Sequence, residues 1–106
     1  ILDNNGLQIN GTNDQVCCAT PLGERYRAFG WSVVNIDGHD VNELYAALTN
    51  CPVKPGKPTL IVARTIKSKG MSFAEGNVKY HHWNPGKEEA ERAIAELDEY
   101  GKRWQA

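Results

Sequence analysis

The sequence predicts an α/β protein built on a parallel sheet. Two observations predict it. Short apolar runs alternate with stretches of helical periodicity, in the order strand, helix, strand, helix, strand, loop, helix. Alternation of this kind implies parallel strands joined by right-handed crossovers. The run Thr59-Leu60-Ile61-Val62-Ala63 is apolar almost throughout, the pattern of a strand buried on both faces of a sheet.

Each element has its own local reason. Ile1-Leu2 reads as the tail of a strand, so the chain is expected to open inside a sheet whose upstream strands are not in this sequence. Gly6, Gly11 and the Asn/Asp/Thr-rich run to Asp14 read as a loop. Residues 21–29 fit a helix: Pro21 suits the first turn, Leu22, Tyr26 and Phe29 share a face, and Gly30 is placed to end it. Trp31 to Ile36 is a short apolar strand followed by the turn Asp37-Gly38-His39-Asp40. Asp40 is a good N-cap for a helix over Val41 to Thr49, with Val41, Leu44, Tyr45 and Leu48 on one stripe. Pro52 to Pro58 is a Pro/Lys/Gly linker. Thr65 to Asn84 is a long irregular segment, of a length that in a compact domain is usually functional or disordered. Lys87 to Tyr100 is an amphipathic helix expected to turn Ala90, Ala93, Ile94 and Leu97 inward.

Composition narrows the function classes. The 106 residues allow one domain at most, with a net charge of -1 and a pI near 6.3. Such a balance gives no polycationic surface for nucleic acid. No apolar run approaches the roughly 20 residues needed to span a bilayer. Cys17, Cys18 and Cys51 are an odd set, and adjacent Cys17-Cys18 cannot readily pair with each other, so free thiols in a reducing cytoplasm are expected. Their spacing does not suggest zinc.

In an open parallel sheet, ligands lie beyond the carboxyl ends of the strands. Three segments fall there: Asp3 to Asn10, Asp37 to Asp40, and Thr65 to Asn84. The first supplies Asp3, Asn4 and Asn5, the last Lys67, Lys69, His81 and His82. Oxygen donors beside basic and imidazole groups suit a metal-bound phosphate ligand. The same residues also fit a plain Asn-Asn-Gly turn beside a solvated lysine surface.

The string from Leu2 to Thr12, Leu-Asp-Asn-Asn-Gly-Leu-Gln-Ile-Asn-Gly-Thr, resembles the closing half of the thiamine-diphosphate motif of transketolases. The resemblance continues through Tyr26 to Trp31, Val34 to Asp40, Lys57 to Ile61 and Thr65 to Phe73, in the same order. It covers nearly the whole chain. It implies a partial three-layer parallel-sheet fold. Residues 1–106 would form the C-terminal part of a thiamine-diphosphate-binding domain, or of the amino-terminal subunit of a two-subunit transketolase. It also implies transfer of a two-carbon ketol unit from a ketose phosphate to an aldose phosphate, in the pentose phosphate pathway of the cytoplasm. The cofactors implied are thiamine diphosphate and Mg2+ or Ca2+. The partner implied is a C-terminal transketolase subunit or domain, in a dimer or heterotetramer.

Residue by residue, the resemblance makes the Asn5 side-chain oxygen and the Leu7 carbonyl metal ligands. It places Ile9 near the thiazolium ring. It gives His81 contact with the cofactor diphosphate and the reacting centre, with His82 the choice if the register slips by one. Lys67 and Lys69 would do no more than contact an anion. His39 is expected to order its turn, and Trp31, Trp83 and Trp104 to serve packing or interfaces.

The family's Gly-Asp-Gly half-motif, its upstream histidines and the domain carrying its activating Glu are absent from this sequence. The chain by itself is therefore expected to be inactive and to bind cofactor weakly. Two other readings stand beside this one: a non-catalytic module serving as a subunit-interaction surface, and a fragment of another thiamine enzyme such as deoxyxylulose-phosphate synthase.

Overall fold

The computed structural model describes residues 1–17 and 21–103. Cys18 and Trp104 lie outside them. The central feature is a three-stranded sheet in the order β1-β5-β4, where β1 is Leu2–Asn4, β4 is Ser32–Asp37 and β5 is Thr59–Arg64. Both pairings are parallel. Leu2 lies opposite Val62 and Asn4 opposite Arg64, while Ser32 faces Thr59 and Asp37 faces Arg64. The three strands therefore end level with one another.

β5 is the middle strand, which explains its composition. Leu60, Ile61, Val62 and Ala63 are all buried, as an uninterrupted apolar run requires when both faces are covered. Ile61 and Ala63 join Ile36 of β4 and Ala47 in one core cluster, against which Val34 and Leu44 pack. Ala47 and Leu44 belong to α3 (Val41–Thr49), whose start is fixed as the sequence suggests. The Asp40 carboxylate accepts the backbone N–H groups of Asn42 and Glu43 at 2.8 and 3.2 Å. α2 (Leu22–Ala28) follows Pro21 and stops before Gly30, whose φ of 87° suits a residue without Cβ.

Helix existence was legible, but which face turns inward was less so. The stripe Val41, Tyr45 and Leu48 is exposed, and α3 meets the sheet through Leu44 and the smaller Ala47. Phe29 is exposed although Tyr26 on the same face packs edge-on against Trp31, with ring centroids 5.3 Å apart. In α4 (Lys87–Lys102) Ala93 is buried as expected, whereas Ile94 and Leu97 are exposed, at 60% and 42%. The reason is local. α4 meets the segment 65–84 largely through the polar bonds of Glu89 and Glu96, and Leu97, though partly exposed, lies close against Gly70.

Two further differences concern segments read as loops. Leu7–Gln8 (β2) and Gly11–Thr12 (β3) form a small antiparallel hairpin, and Asn13–Val16 (α1) is one helical turn. Thr12 and Gln15 close a capping box around that turn, so the Thr-x-x-Gln spacing carried a signal that composition obscured. Within 65–84, Val78–His82 is a short 3-10 segment kinked at Tyr80, begun by the Asn77 side chain accepting the Lys79 N–H at 3.0 Å.

Candidate functional site

Three loops leave the level carboxyl end of the sheet, and backbone and side-chain bonds tie them together. The Thr65 N–H reaches the Asn4 carbonyl at 3.4 Å, and the Gly38 N–H reaches the Arg64 carbonyl at 2.8 Å. The Thr65 hydroxyl donates to the Asp3 carboxylate. His39 does the ordering expected of it: its Nε2 accepts the Ile66 N–H at 2.7 Å, while its own N–H donates to Asp37 Oδ1 at 2.9 Å. Gly38 is required by this convergence. A Cβ there would lie 2.5 Å from Thr65 Cγ2 and 3.0 Å from both Ala63 Cβ and the Arg64 carbonyl oxygen.

Beside β1 a cavity of about 260 Å³ opens, lined by Asn5, Leu7, Gln8, Ile9, Lys67, Val78 and His81. Asn5 follows the end of β1. Leu7 and Gln8 are the first hairpin strand, and Ile9 stands at its turn. Lys67 and His81 come from the long loop after β5. The cavity thus brings together Asn5, Leu7, Ile9 and His81, the four residues singled out from the sequence, with Lys67 beside them. His82 is not in the lining, although its ring packs edge-on to that of His81 at 4.6 Å. Lys69 points elsewhere: it pairs with Glu75 at 3.8 Å and borders a separate hollow with Gly70, Ser72 and Tyr100.

The donors at the cavity are oxygen and nitrogen atoms of few types. The Leu7 N–H donates to Asn5 Oδ1 at 2.9 Å, which fixes the amide and leaves the second lone pair of that oxygen free of this bond. The lining holds no carboxylate, and among the described residues no group of three His, Cys, Asp or Glu could hold a metal ion. Asn5 Oδ1 and the Leu7 carbonyl are hard, neutral donors. They suit part of the shell of a Mg2+ or Ca2+ ion, whose six or more oxygens must then come largely from a bound anion and from other residues. The Lys67 ammonium and the His81 imidazole are the groups that could meet anionic oxygens.

The loop carrying His81 is fastened to α4 by residues that the sequence did not single out. Glu89 accepts the Tyr80 hydroxyl at 3.3 Å and the Trp83 indole N–H at 3.0 Å. Glu96 accepts the Ser72 N–H at 2.6 Å and its hydroxyl at 3.0 Å. Arg92 bonds Glu96 and Ser72, and its guanidinium lies 4.6 Å from the centroid of Phe73. The Ser72 N–H, followed by the Arg92 guanidinium, holds the Glu96 carboxyl below the ordinary carboxylate range. Partial burial, reinforced by the Glu89 carboxylate, pushes the Tyr80 phenol above its usual range. Charged residues on an amphipathic helix ordinarily read as a solvated face, so no sequence signal separated these three.

Residues 1–101 match the family described as transketolase, thiamine diphosphate binding domain. The chain belongs to this transketolase family. It is 39% identical over 99 residues to a 6-deoxy-6-sulfo-D-fructose transketolase subunit of Clostridium sp. (strain MSTE9), a match covering 93% of this chain and 36% of that protein. It is 35% identical to an apulose-4-phosphate transketolase subunit of Phocaeicola vulgatus, over 93% of this chain and 35% of the relative. The chain therefore spans about a third of the length of these transketolase subunits. Among solved structures, transketolase from Campylobacter jejuni superposes on 91% of the chain and 15% of its own length, with a TM-score of 0.78 and 32% identity. The parallel α/β architecture is thus a transketolase architecture. Among the described residues no helix is long and apolar enough to cross a membrane.

Proposed function

We propose that this chain forms part of the cofactor site of a thiamine-diphosphate-dependent transketolase, an enzyme that moves a two-carbon ketol unit from a ketose phosphate to an aldose phosphate. The observation that carries the reading is the convergence of Asn5, Leu7, Ile9, Lys67 and His81 on one cavity in a member of this family. Residues 1–106 would be the C-terminal part of the thiamine-diphosphate-binding domain.

When bound, the cofactor supplies the nucleophilic carbon that such a transfer needs. The chain's own residues bind and orient it. Asn5 Oδ1 and the Leu7 carbonyl would hold a Mg2+ or Ca2+ ion, which would supply positive charge to an anionic cofactor. Lys67 offsets part of the diphosphate charge. Ile9, at 59% exposed, gives the cavity an apolar wall against which the thiazolium ring can rest. His81 holds or moves a proton at an imidazole nitrogen near the reacting oxygens.

The relatives named as subunits support a partner transketolase subunit; that it is a C-terminal subunit or domain, in a dimer or heterotetramer acting on sugar phosphates, is part of the proposal. A cytoplasmic setting in carbohydrate metabolism is part of the same proposal.

Ketol transfer by the full subunit that carries these residues, assembled with its partner, tests the reading, with a ketose phosphate as donor. Asn5→Ala is expected to lower activity about 10- to 100-fold at limiting Mg2+, part of which excess metal restores. His81→Ala is expected to lower kcat about 100-fold or more. Undiminished activity in the Asn5 variant would remove the metal assignment, and in the His81 variant the catalytic one.

A further inference from the structure

We infer that Glu89 is a positioning residue for His81, acting through Tyr80 and Trp83 on either side of the His81-His82 pair. The inference rests on the reading of His81 given above. The two histidines stand just after a kink at Tyr80 that breaks the 3-10 segment Val78–His82 into pieces too short to hold their shape by backbone bonds alone. Its two shoulders are fixed from outside. The rings of Phe73, Tyr80 and Trp83 form a closed triangle of edge-to-face contacts, with centroids 5.7, 5.7 and 5.9 Å apart. The polar tips of two of these rings converge on a single carboxylate: Tyr80 Oη donates to Glu89 Oε1 and Trp83 Nε1 to Glu89 Oε2.

Glu89 stands in the first turn of α4, so its carboxylate is fixed to a regular helix rather than to another loop. Arg92, one turn further on, covers the third ring. Neither Glu89, Tyr80 nor Trp83 lines the cavity. Their effect on chemistry must therefore pass through the placement of His81. A catalytic imidazole displaced by about 1 Å loses on the order of 100-fold in rate, so a support of this kind has a measurable consequence.

The test compares Glu89→Ala, Glu89→Gln and His81→Ala, each in the full subunit that carries these residues, assembled with its partner. Glu89→Ala is expected to lower kcat at least tenfold with KM for the sugar donor within twofold, and to speed amide hydrogen exchange at residues 78–83. Glu89→Gln keeps an oxygen for the Trp83 N–H and is expected to restore kcat to within threefold. Should Glu89→Ala prevent folding, the pair Tyr80→Phe and Trp83→Phe keeps an aromatic ring at each position and removes both donors, with the same fall in kcat expected. Full activity in Glu89→Ala, or in the Phe pair, beside an inactive His81→Ala overturns the positioning role and leaves the functional reading standing. Full activity in His81→Ala overturns that reading and the role of Glu89 with it. A fall in kcat that Glu89→Gln does not restore also overturns the inference, because it assigns the effect to charge rather than to placement.

Discussion

Asn5 shows how much one side chain owes to its immediate neighbours. Its amide oxygen is turned by the N–H of Leu7, two residues on, so a potential ligand is held in place by local backbone alone. This much is a property of Asn in a turn, and it was legible in Asn5-Gly6-Leu7. Gly38 is the opposite case. In sequence it is one glycine in an Asp-Gly-His-Asp turn. Only the folded chain shows Thr65, Ala63 and the Arg64 carbonyl crowded against its Cα. Gly38→Ala is expected to cost about 1–3 kcal/mol, because backbone and β-branched side chains cannot move aside cheaply. Urea denaturation measures it, and a loss below a few tenths of a kcal/mol would mean that the crowding relaxes freely. At the start of α3, Asp40→Ala is expected to cost about 1 kcal/mol by the same measurement, since two orphan N–H groups lose their acceptor.

Among the elements, α4 departs most from its sequence reading. Its periodicity placed Ile94 and Leu97 inside, yet both are exposed and the helix works through Glu89, Arg92 and Glu96. Periodicity reports that one side of a helix meets protein. It does not say that the protein met will be a polar loop. The depressed Glu96 carboxyl gives this contact a pH dependence with a definite sign. A carboxyl whose folded pKa lies below its unfolded value stabilises the contact above the unfolded pKa, and that stabilisation is lost as pH falls through the folded one. Segment 65–84 is therefore expected to loosen from α4 below the ordinary glutamate range and to stay fastened at neutral pH. Limited proteolysis across pH 3 to 7, compared with Glu96→Gln, checks it. The variant should be more easily cleaved at neutral pH and should show little further change on acidification. A native chain equally resistant at both ends of the range would contradict the assignment.

For the molecule as a whole, the sheet has three strands and its core is small, drawn from β4, β5 and α3. The candidate site lies at the carboxyl end of β1, which among the described residues has a neighbour on one side only. The cavity is incomplete as a cation site: its lining offers neutral oxygens, the side-chain ones from Asn5 and Gln8, and no carboxylate. Isothermal titration of this chain with thiamine diphosphate and Mg2+ is therefore expected to show binding no tighter than about 1 mM, worth roughly 4 kcal/mol. Micromolar affinity would overturn that expectation and show that the donors present suffice.

The sequence by itself determined the order of the main elements, the buried central strand, the Asp40 cap and the placing of Asn5, Leu7 and Ile9 among the residues that meet at the cavity. These follow from spacing, from composition and from family motifs that run in a fixed order. Tertiary structure alone decided which helix faces turn inward, that Lys67 and not Lys69 reaches the cavity, and that His81 lines it while His82 does not. It also decided that Glu89 anchors the turn carrying them. The physical reason is the same in each case. Local patterns record the preferences of a residue and its near neighbours, whereas these outcomes depend on contacts between segments far apart in the chain, such as Ser72 with Glu96 and His39 with Ile66.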